Sequence, residues 1–563
     1  MFMYLTDGKS QLLLVDSLYG TNGSLISNFP YNEDPVKAIL QPDGKILTGG
    51  VSAGPSLEYY SALTRSDICG IPDNTFGDSG LVLHAYDFRN TPHDLLIQPD
   101  EKIVVTGVSA PSNAGSQHIP FISRYLDDGS PDTAFGNSGA VAQRFDPVSS
   151  GGFYSVQQYD DGRLLGIGRS TGNINGGSYG YGAMRFMDDG ALDPTFDGDG
   201  ITRYPPLGPL LGEVRGKLLT DGRIAMAFST FANGTFLESI TASVIDSTGM
   251  LDTTYGVNGV FLDTAITVGN VWIESLPNDF IVLATTVAGN NSIDIISLDT
   301  QGSLDTTFGT GGRLRYDFTG VTGEVKGIKL IDNTHIMVFG KLNNPAGSGF
   351  LLRLNANGSV DSPFGLSGLL EVNLSSNTEY IEDVLLLDNG QYLCLVNEFG
   401  NIISTRLIEI SNVPHISLST VNGTDLITTG GDFYQWYFNT LLIPGAISDV
   451  FTPVSNGVYT VMATDSTGCS YLSEPYILQN VGIQNNNDDV AIIVQNPMTH
   501  QLFITAENDV IQRFYVYDLS GKLINETVVN NTRYNKEINL APGSYLIRIL
   551  TEKGTVVRKI EKM

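Results

Sequence analysis

Residues 304–312 read Leu304-Asp305-Thr306-Thr307-Phe308-Gly309-Thr310-Gly311-Gly312, and the chain repeats this string. Its skeleton is Asp, two residues, an aromatic, usually Gly, two residues, then Gly. It begins at Asp16, Asp73, Asp132, Asp193, Asp252, Asp305 and Asp361, in steps of 57, 59, 61, 59, 53 and 56 residues. The aromatics are Tyr19, Phe76, Phe135, Phe196, Tyr255, Phe308 and Phe364, and the closing glycines are Gly23, Gly80, Gly139, Gly200, Gly259, Gly312 and Gly368. Aromatic residues make up 9% of the chain, so an aromatic at one fixed place in all seven copies marks an internal repeat. The first glycine fails once, at Asp197.

A second string lies between these copies. It reads Gln41-Pro42-Asp43-Gly44-Lys45-Ile46-Leu47 and Gln98-Pro99-Asp100-Glu101-Lys102-Ile103-Val104, and it returns at Asp161-Gly162-Arg163-Leu164 and Asp221-Gly222-Arg223-Ile224. Weaker copies stand at Pro277-Asn278-Asp279, Asp332-Asn333-Thr334 and Asp388-Asn389-Gly390. A third apolar element precedes each Asp motif, as in Phe121-Ile122-Ser123-Arg124-Tyr125 and Phe350-Leu351-Leu352-Arg353-Leu354.

Pro-Asp-Gly between apolar runs predicts a hairpin turn, with Pro setting φ and Gly supplying φ > 0. The β-branched runs after it predict strands. In the Asp motif the carboxylate can accept backbone N–H groups just ahead of it, and the aromatic can fold inward between neighbouring units. Each unit then holds about four short strands. A lone four-stranded sheet cannot bury both faces. Radial stacking gives a β-propeller, and stacking along an axis gives an open solenoid, the structural alternative. Seven copies predict a seven-bladed ring, within a range of six to eight. Phe2-Met3-Tyr4 and Ile402-Ile403-Ser404-Thr405-Arg406-Leu407 fall in the same slot of the repeat, so one end of the chain can complete a blade begun by the other.

Residues 413–480 lose the repeat. Phe433-Tyr434-Gln435-Trp436-Tyr437-Phe438 and Gly457-Val458-Tyr459-Thr460-Val461-Met462-Ala463-Thr464 predict strands of a small antiparallel sandwich with a buried Trp. Gln484-Asn485-Asn486-Asn487-Asp488-Asp489 predicts a linker, and residues 490–563 alternate as a second compact sandwich. The expected domains are thus 1–411, 413–480, a linker over 481–489, and 490–563, all of them β.

Three resemblances sit on these strings. The two repeat motifs resemble the delta-60 repeat family over about residues 1–410, which implies a β-propeller-like domain and brings no catalytic residues with it. The string Tyr434-Gln435-Trp436-Tyr437, with Cys469 near the module's end, is similar to Ig-like modules of secreted Bacteroidetes proteins, minus their earlier cysteine, which implies that Cys469 is unpaired. Asn496-Pro497, Tyr517-Asp518-Leu519-Ser520-Gly521-Lys522, Ile538-Asn539-Leu540-Ala541-Pro542-Gly543 and the final Val556-Val557-Arg558-Lys559-Ile560-Glu561-Lys562 resemble the C-terminal sorting domain of the type IX secretion system. That resemblance implies export across the outer membrane, recognition of the tail by the secretion machinery, and cleavage near the linker. Such cargo starts with a Sec signal peptide. Met1-Phe2-Met3-Tyr4-Leu5-Thr6-Asp7-Gly8 does not read as one, so a truncated or mis-started chain is expected.

The net charge is −29, and it is uneven. Residues 490–563 carry 9 Lys+Arg against 7 Asp+Glu, which leaves 22 basic and 53 acidic residues in the first 489. An acidic surface repels phosphate backbones, so no nucleic-acid partner is expected. No run of 18 apolar residues predicts a transmembrane helix. Cys69, Cys394 and Cys469 are far apart and frame no disulfide scaffold.

No catalytic, cofactor or metal site is expected. Gly176-Gly177-Ser178-Tyr179-Gly180 matches a nucleophile-elbow string, but a Gly/Asn-rich loop between blades is the expected context. His84, His93, His118, His335, His415 and His500 show no ligand spacing, and Asp197-Gly198-Asp199-Gly200 lacks the rest of a calcium loop. A motif present in every copy reads as a joint, so places where copies differ are better site candidates; the loops 109–120 and 172–177 are two such places. The expected function is therefore a secreted or cell-surface binding or adhesion protein, monomeric and not an enzyme, whose propeller presents a face to an extracellular glycan or protein. A structural surface component without a small ligand, or a secreted polysaccharide- or peptide-degrading enzyme, are the alternatives.

Overall fold

In the computed structural model the chain is all strand: no helix occurs among the described residues. These are 14–15, 24–27 and 32–563, apart from 113–117, 206–211, 232–237, 265–267, 400–403, 412–417, 422–424, 465–467, 479–490 and scattered gaps of one or two residues. The first Asp16 motif and the linker lie outside this set.

Each full copy of the repeat folds as an antiparallel four-strand meander. Val268–Ser275, Ile281–Thr286, Ser292–Leu298 and Arg313–Asp317, for example, pair in chain order. The Pro-Asp-Gly string makes the first hairpin. Gln41 N–H donates to Lys45 O at 2.7 Å, Gly44 N–H donates to Gln41 O at 2.9 Å, and Gly44 has φ +84°. Glu101 (φ +68°) and Asp279 (φ +61°) make the same left-handed turn without glycine.

The Asp motif ties one meander to the next. Asp73 Oδ1 accepts Thr75 N–H at 3.0 Å, and Gly77 N–H donates across to Asp128 O at 2.8 Å. A Cβ on Gly77, where φ is +52°, would sit 2.3 Å from Leu81 O. Asp197 holds the same slot with φ +50° and still donates across, to Thr248 O at 2.7 Å. Asp enters the left-handed region more readily than most residues, so this one departure keeps the joint.

The aromatics are plugs. Phe76, Phe135, Phe196, Phe308 and Phe364 are fully buried. Phe308 lies in a core shared by Ile293 and Ile295 of one meander and Val338, Phe350 and Leu352 of the next. An arginine eight residues before the Asp completes the joint in four copies. The Arg124 guanidinium stands 4.7 Å from the Phe135 ring centre, its Nε donates to Asp132 at 2.8 Å, and its Nη1 donates to Asp188 of the next meander at 2.7 Å. Arg65, Arg185 and Arg353 repeat the ring and Asp contacts over Phe76, Phe196 and Phe364, and reach the next meander at Asp127, Ser247 O and the Tyr392 hydroxyl. Val244 and Ser297 hold the slot elsewhere.

Leu385, Leu387, Leu393 and Leu395 share a core with Ala38 and Ile46, which joins the last meander to the first. Asp383 Oδ2 accepts Ala38 N–H at 3.2 Å, and Asn397 Nδ2 donates to Asp34 Oδ1 at 2.7 Å. These contacts describe a closed ring, since a straight solenoid would leave both faces in water. The last sheet takes Thr378–Leu386, Tyr392–Phe399 and Ser404–Ser411 from the end of the repeat region and Ser24–Ser27 from its start. Phe2–Tyr4 lie outside the described residues; the strands seen to complete the sheet are Leu14–Val15 and Ser24–Ser27, both paired with Ser404–Ser411.

The Gly176–Gly180 string is not a loop between blades, as its composition suggested. Leu164–Ile174 and Gly177–Phe186 pair as one hairpin within a meander, because glycine flanked by β-formers extends the ladder.

A second compact unit comprises Ser417–Thr429, Phe433–Ala463 and Leu472–Met563. Within it, Trp436 is fully buried and stacks on Phe451 at 5.4 Å, with its Nε1 donating to Ser448 O at 2.8 Å. In the C-terminal part, the sheet of Ala491–Val494, Gln501–Glu507 and Arg533–Glu537 shares one core with the sheet of Leu523–Asn531, Ile511–Tyr517, Gly543–Thr551 and Thr555–Lys562. Met498, Leu502, Phe514, Ile547 and Ile560 are fully buried there. Cys394 is buried and free, Cys69 is disulfide-bonded, and Cys469 lies outside the described residues.

Candidate binding site in the central channel

The first strand of each meander carries a β-bulge or irregularity in most copies, as at Pro35/Lys37, Pro92/Asp94, Phe153/Ser155, Val325/Gly327 and Ile381/Asp383. A bulge re-aims side chains. Here it brings one slot of the repeat to one cavity of about 120 Å³. The slot lies four residues before the turn. Its occupants are Lys37, Asp94, Ser155, Arg215, Trp272, Gly327 and Asp383, and every one lines the cavity. Copies that agree at the turn and at the Asp motif disagree here.

Three ion pairs bridge neighbouring inner strands. Lys37 Nζ lies 2.6 Å from Asp94 Oδ1, Lys217 Nζ 2.9 Å from Glu274 Oε1, and Lys329 Nζ 2.9 Å from Asp383 Oδ1. The carboxylates also accept backbone N–H groups: Asp94 Oδ2 from Val156 at 2.9 Å, Asp383 Oδ2 from Ala38 at 3.2 Å, and Glu274 Oε1 from Ser275 at 2.9 Å. Burial works against the Lys37 ammonium, but Asp94 holds its pKa above the ordinary value.

The remaining charges gather around Arg215. Its guanidinium stacks 3.9 Å from the centre of the Trp272 ring, Nη2 pairs with Glu213 at 2.5 Å, and Nη1 donates to Tyr154 O at 3.2 Å. The His93 ring stacks on Tyr154 at 4.6 Å. Burial pushes the His93 imidazole down to about 4, so it is neutral at physiological pH. Glu382 lines the same cavity. Burial pushes its carboxyl up to about 8, against the pull of Lys326 and Arg215.

The other sequence candidates fall elsewhere. His84 contacts the Tyr125 hydroxyl at 3.2 Å, His335 pairs with Asp332 at 2.9 Å, and His500 and His415 lie outside the described residues. Asp199 accepts Ile201 N–H at 2.9 Å, as a turn carboxylate does. Among the described residues no group of three His, Cys, Asp or Glu side chains is placed to hold a metal ion. Of the two rim loops, 113–117 and 175–176 lie outside the described residues. The sequence reading missed the channel slot. Its signal was present: in an otherwise regular repeat, Lys, Asp, Ser, Arg, Trp, Gly and Asp alternate at one phase.

Comparison with known proteins agrees with this architecture. Residues 495–562 match the secretion system C-terminal sorting domain, and residues 98–135 and 160–196 match a β-propeller domain of unknown function, DUF5122. The chain is therefore a β-propeller protein with a type IX sorting tail, and that tail marks it for secretion or the outer cell surface. No curated protein matches it. Among solved structures it is similar to the polysaccharide lyase Uly1, at 12% identity and TM-score 0.41, over 70% of this chain and 91% of that one. It is also similar to a GH93 α-L-arabinofuranosidase of Fusarium graminearum, at 12% identity and TM-score 0.35, over 59% and 93%, and to a protein of unknown function from Dyadobacter fermentans, at 14% identity and TM-score 0.33, over 69% and 98%. The expectation of a non-enzyme is corrected by this finding. The structures it is similar to include a polysaccharide lyase and an α-L-arabinofuranosidase.

Proposed function

We propose that this protein is an exported surface or extracellular binding protein whose channel cavity is the ligand site. In this reading residues 1–411 form a seven-bladed ring, 413–480 an Ig-like module, 481–489 a linker and 490–563 the sorting domain read by the secretion machinery. One observation carries it. A repeat that is regular at its turns and joints places unlike charged and aromatic side chains at a single cavity. A ring needs equal joints, whereas a recognition site needs a place that differs.

The test uses the full chain on glycan and protein arrays, with substrate turnover measured in the same samples. Binding or turnover that Arg215→Ala removes supports the reading. Binding that survives loss of Arg215, Trp272 and His93 places the site elsewhere and overturns it. A second reading, a structural surface component without a small ligand, is favoured by the three Lys–carboxylate pairs, which also stitch the ring together. A deletion strain with altered spreading, and no ligand on any array, would favour that alternative.

A further inference from the structure

Between their third and fourth strands, six meanders repeat one tight turn. Its glycine N–H donates back three residues, from Gly70 to Asp67 O at 3.0 Å in the first copy and from Gly129, Gly190, Gly249, Gly302 and Gly358 in the others. The residue before that glycine is Asp128, Asp189, Thr248, Gln301 or Asn357 in five copies, all polar and all exposed. In the first copy it is Cys69, and it is half-buried. The turn itself does not call for a thiol. Asp67 N–H donates to Ile71 O at 2.9 Å, and Asp67 Oδ1 accepts the N–H groups of Cys69 and Ile71 at 2.9 and 2.8 Å, so backbone and cap are complete without the sulfur. The sulfur is engaged elsewhere, because Cys69 is disulfide-bonded.

The chain has three cysteines, and Cys394 is buried and free. That leaves Cys469. The compact unit that holds the propeller is discontinuous in sequence: besides Met1–Ile416 it takes in Gly430–Asp432 and Thr464–Tyr471. The two short segments meet where Asp432 N–H donates to Thr464 O at 2.9 Å. The Thr464 and Ser470 hydroxyls lie 2.7 Å apart across a hairpin, and Gly468 takes φ +91° in it. Cys469 lies outside the described residues, but in sequence it stands between Gly468 and Ser470, within the segment that belongs to the same unit as Cys69.

We infer that Cys69 and Cys469 form a disulfide that clamps the hairpin of Thr464–Tyr471 to the first meander. The bond joins positions 400 residues apart, and a crosslink over so long a loop restricts the unfolded chain strongly. In forming it, the two thiols give up two protons and two electrons to a protein disulfide of the cell envelope, which becomes a dithiol. The sorting tail sends the chain out through that oxidising compartment, where such a bond persists. The clamp does not depend on the channel. Its test is a peptide map of the full chain, kept with oxidised glutathione, then denatured and alkylated without reductant. A linked Cys69–Cys469 peptide appears, and Cys394 alone is alkylated. Alkylation of both Cys69 and Cys469, or a link from Cys69 to Cys394 or to a second chain, overturns the inference. Dithiothreitol lowers the unfolding midpoint of the native chain and leaves that of the double variant Cys69→Ser, Cys469→Ser unmoved; an equal shift in both overturns the clamp. If the double variant does not fold, thiol titration of denatured Cys394→Ser decides: no thiol before reduction and two after support the bond, and two before reduction overturn it.

Discussion

The joint and the channel slot belong to the same repeat, and they follow opposite rules. At the joint, Asp, aromatic and glycine recur, and Arg65, Arg124, Arg185 and Arg353 each lie over the plug ring and bond their own Asp. In the channel, Lys37, Asp94, Ser155, Arg215, Trp272, Gly327 and Asp383 occupy one slot with little in common. Uniform positions carry the strain of closing a ring, and divergent positions are free to carry chemistry.

The joint should break first. Arg124 and Asp132 are almost fully buried, so Arg124→Ala leaves a carboxylate without its partner and should cost about 3–5 kcal/mol in chemical denaturation. Phe308→Ala opens a hole between two meanders and should cost about 3–5 kcal/mol by the same measurement. Gly309→Ala comes next. The slot has φ +54° and a Cβ would meet Arg313 O at 2.4 Å, so a loss of about 1–3 kcal/mol is expected, and a neutral result would show that the joint relaxes.

The channel should respond to pH and to ligand more than to denaturant. Glu382 has a folded pKa raised to about 8, above its unfolded value of 4.5. The folded state therefore binds more protons between those values, and this group's contribution to stability falls as pH rises from 4.5 to 8. Glu382→Gln should flatten that part of the stability profile; an unchanged slope would mean the carboxyl is ionised in the folded protein. Arg215→Met should cost less than Arg124→Ala, about 1–3 kcal/mol, since it leaves Glu213 without its charged partner but partly open to the channel, while changing whatever the channel binds.

The joint was legible in the sequence because its residues are irreplaceable in kind: only glycine or a tolerant Asp enters the left-handed slot, and only a large ring fills the gap. Its arginine was not legible, because Val244 and Ser297 interrupt the pattern. The channel was hidden for a different reason. Its residues share a phase and not a type, and the bulge moves that phase out of simple alternation. His93 looked like one scattered histidine among six until the inner strands were brought together.

Ser24–Ser27 pairs with Ser404–Ser411, so the two ends of the repeat region are fastened to each other like a belt and its buckle. The four-strand meanders of the other copies are each continuous in sequence, but this sheet waits for the last copy to be made. Contacts so distant in sequence form late and slowly, because a long loop must close before it is rewarded. A chain arrested before residue 404 therefore holds six assembled meanders and an unfastened edge on each side, and a chain that has lost its first 27 residues meets the same fate at the opposite end.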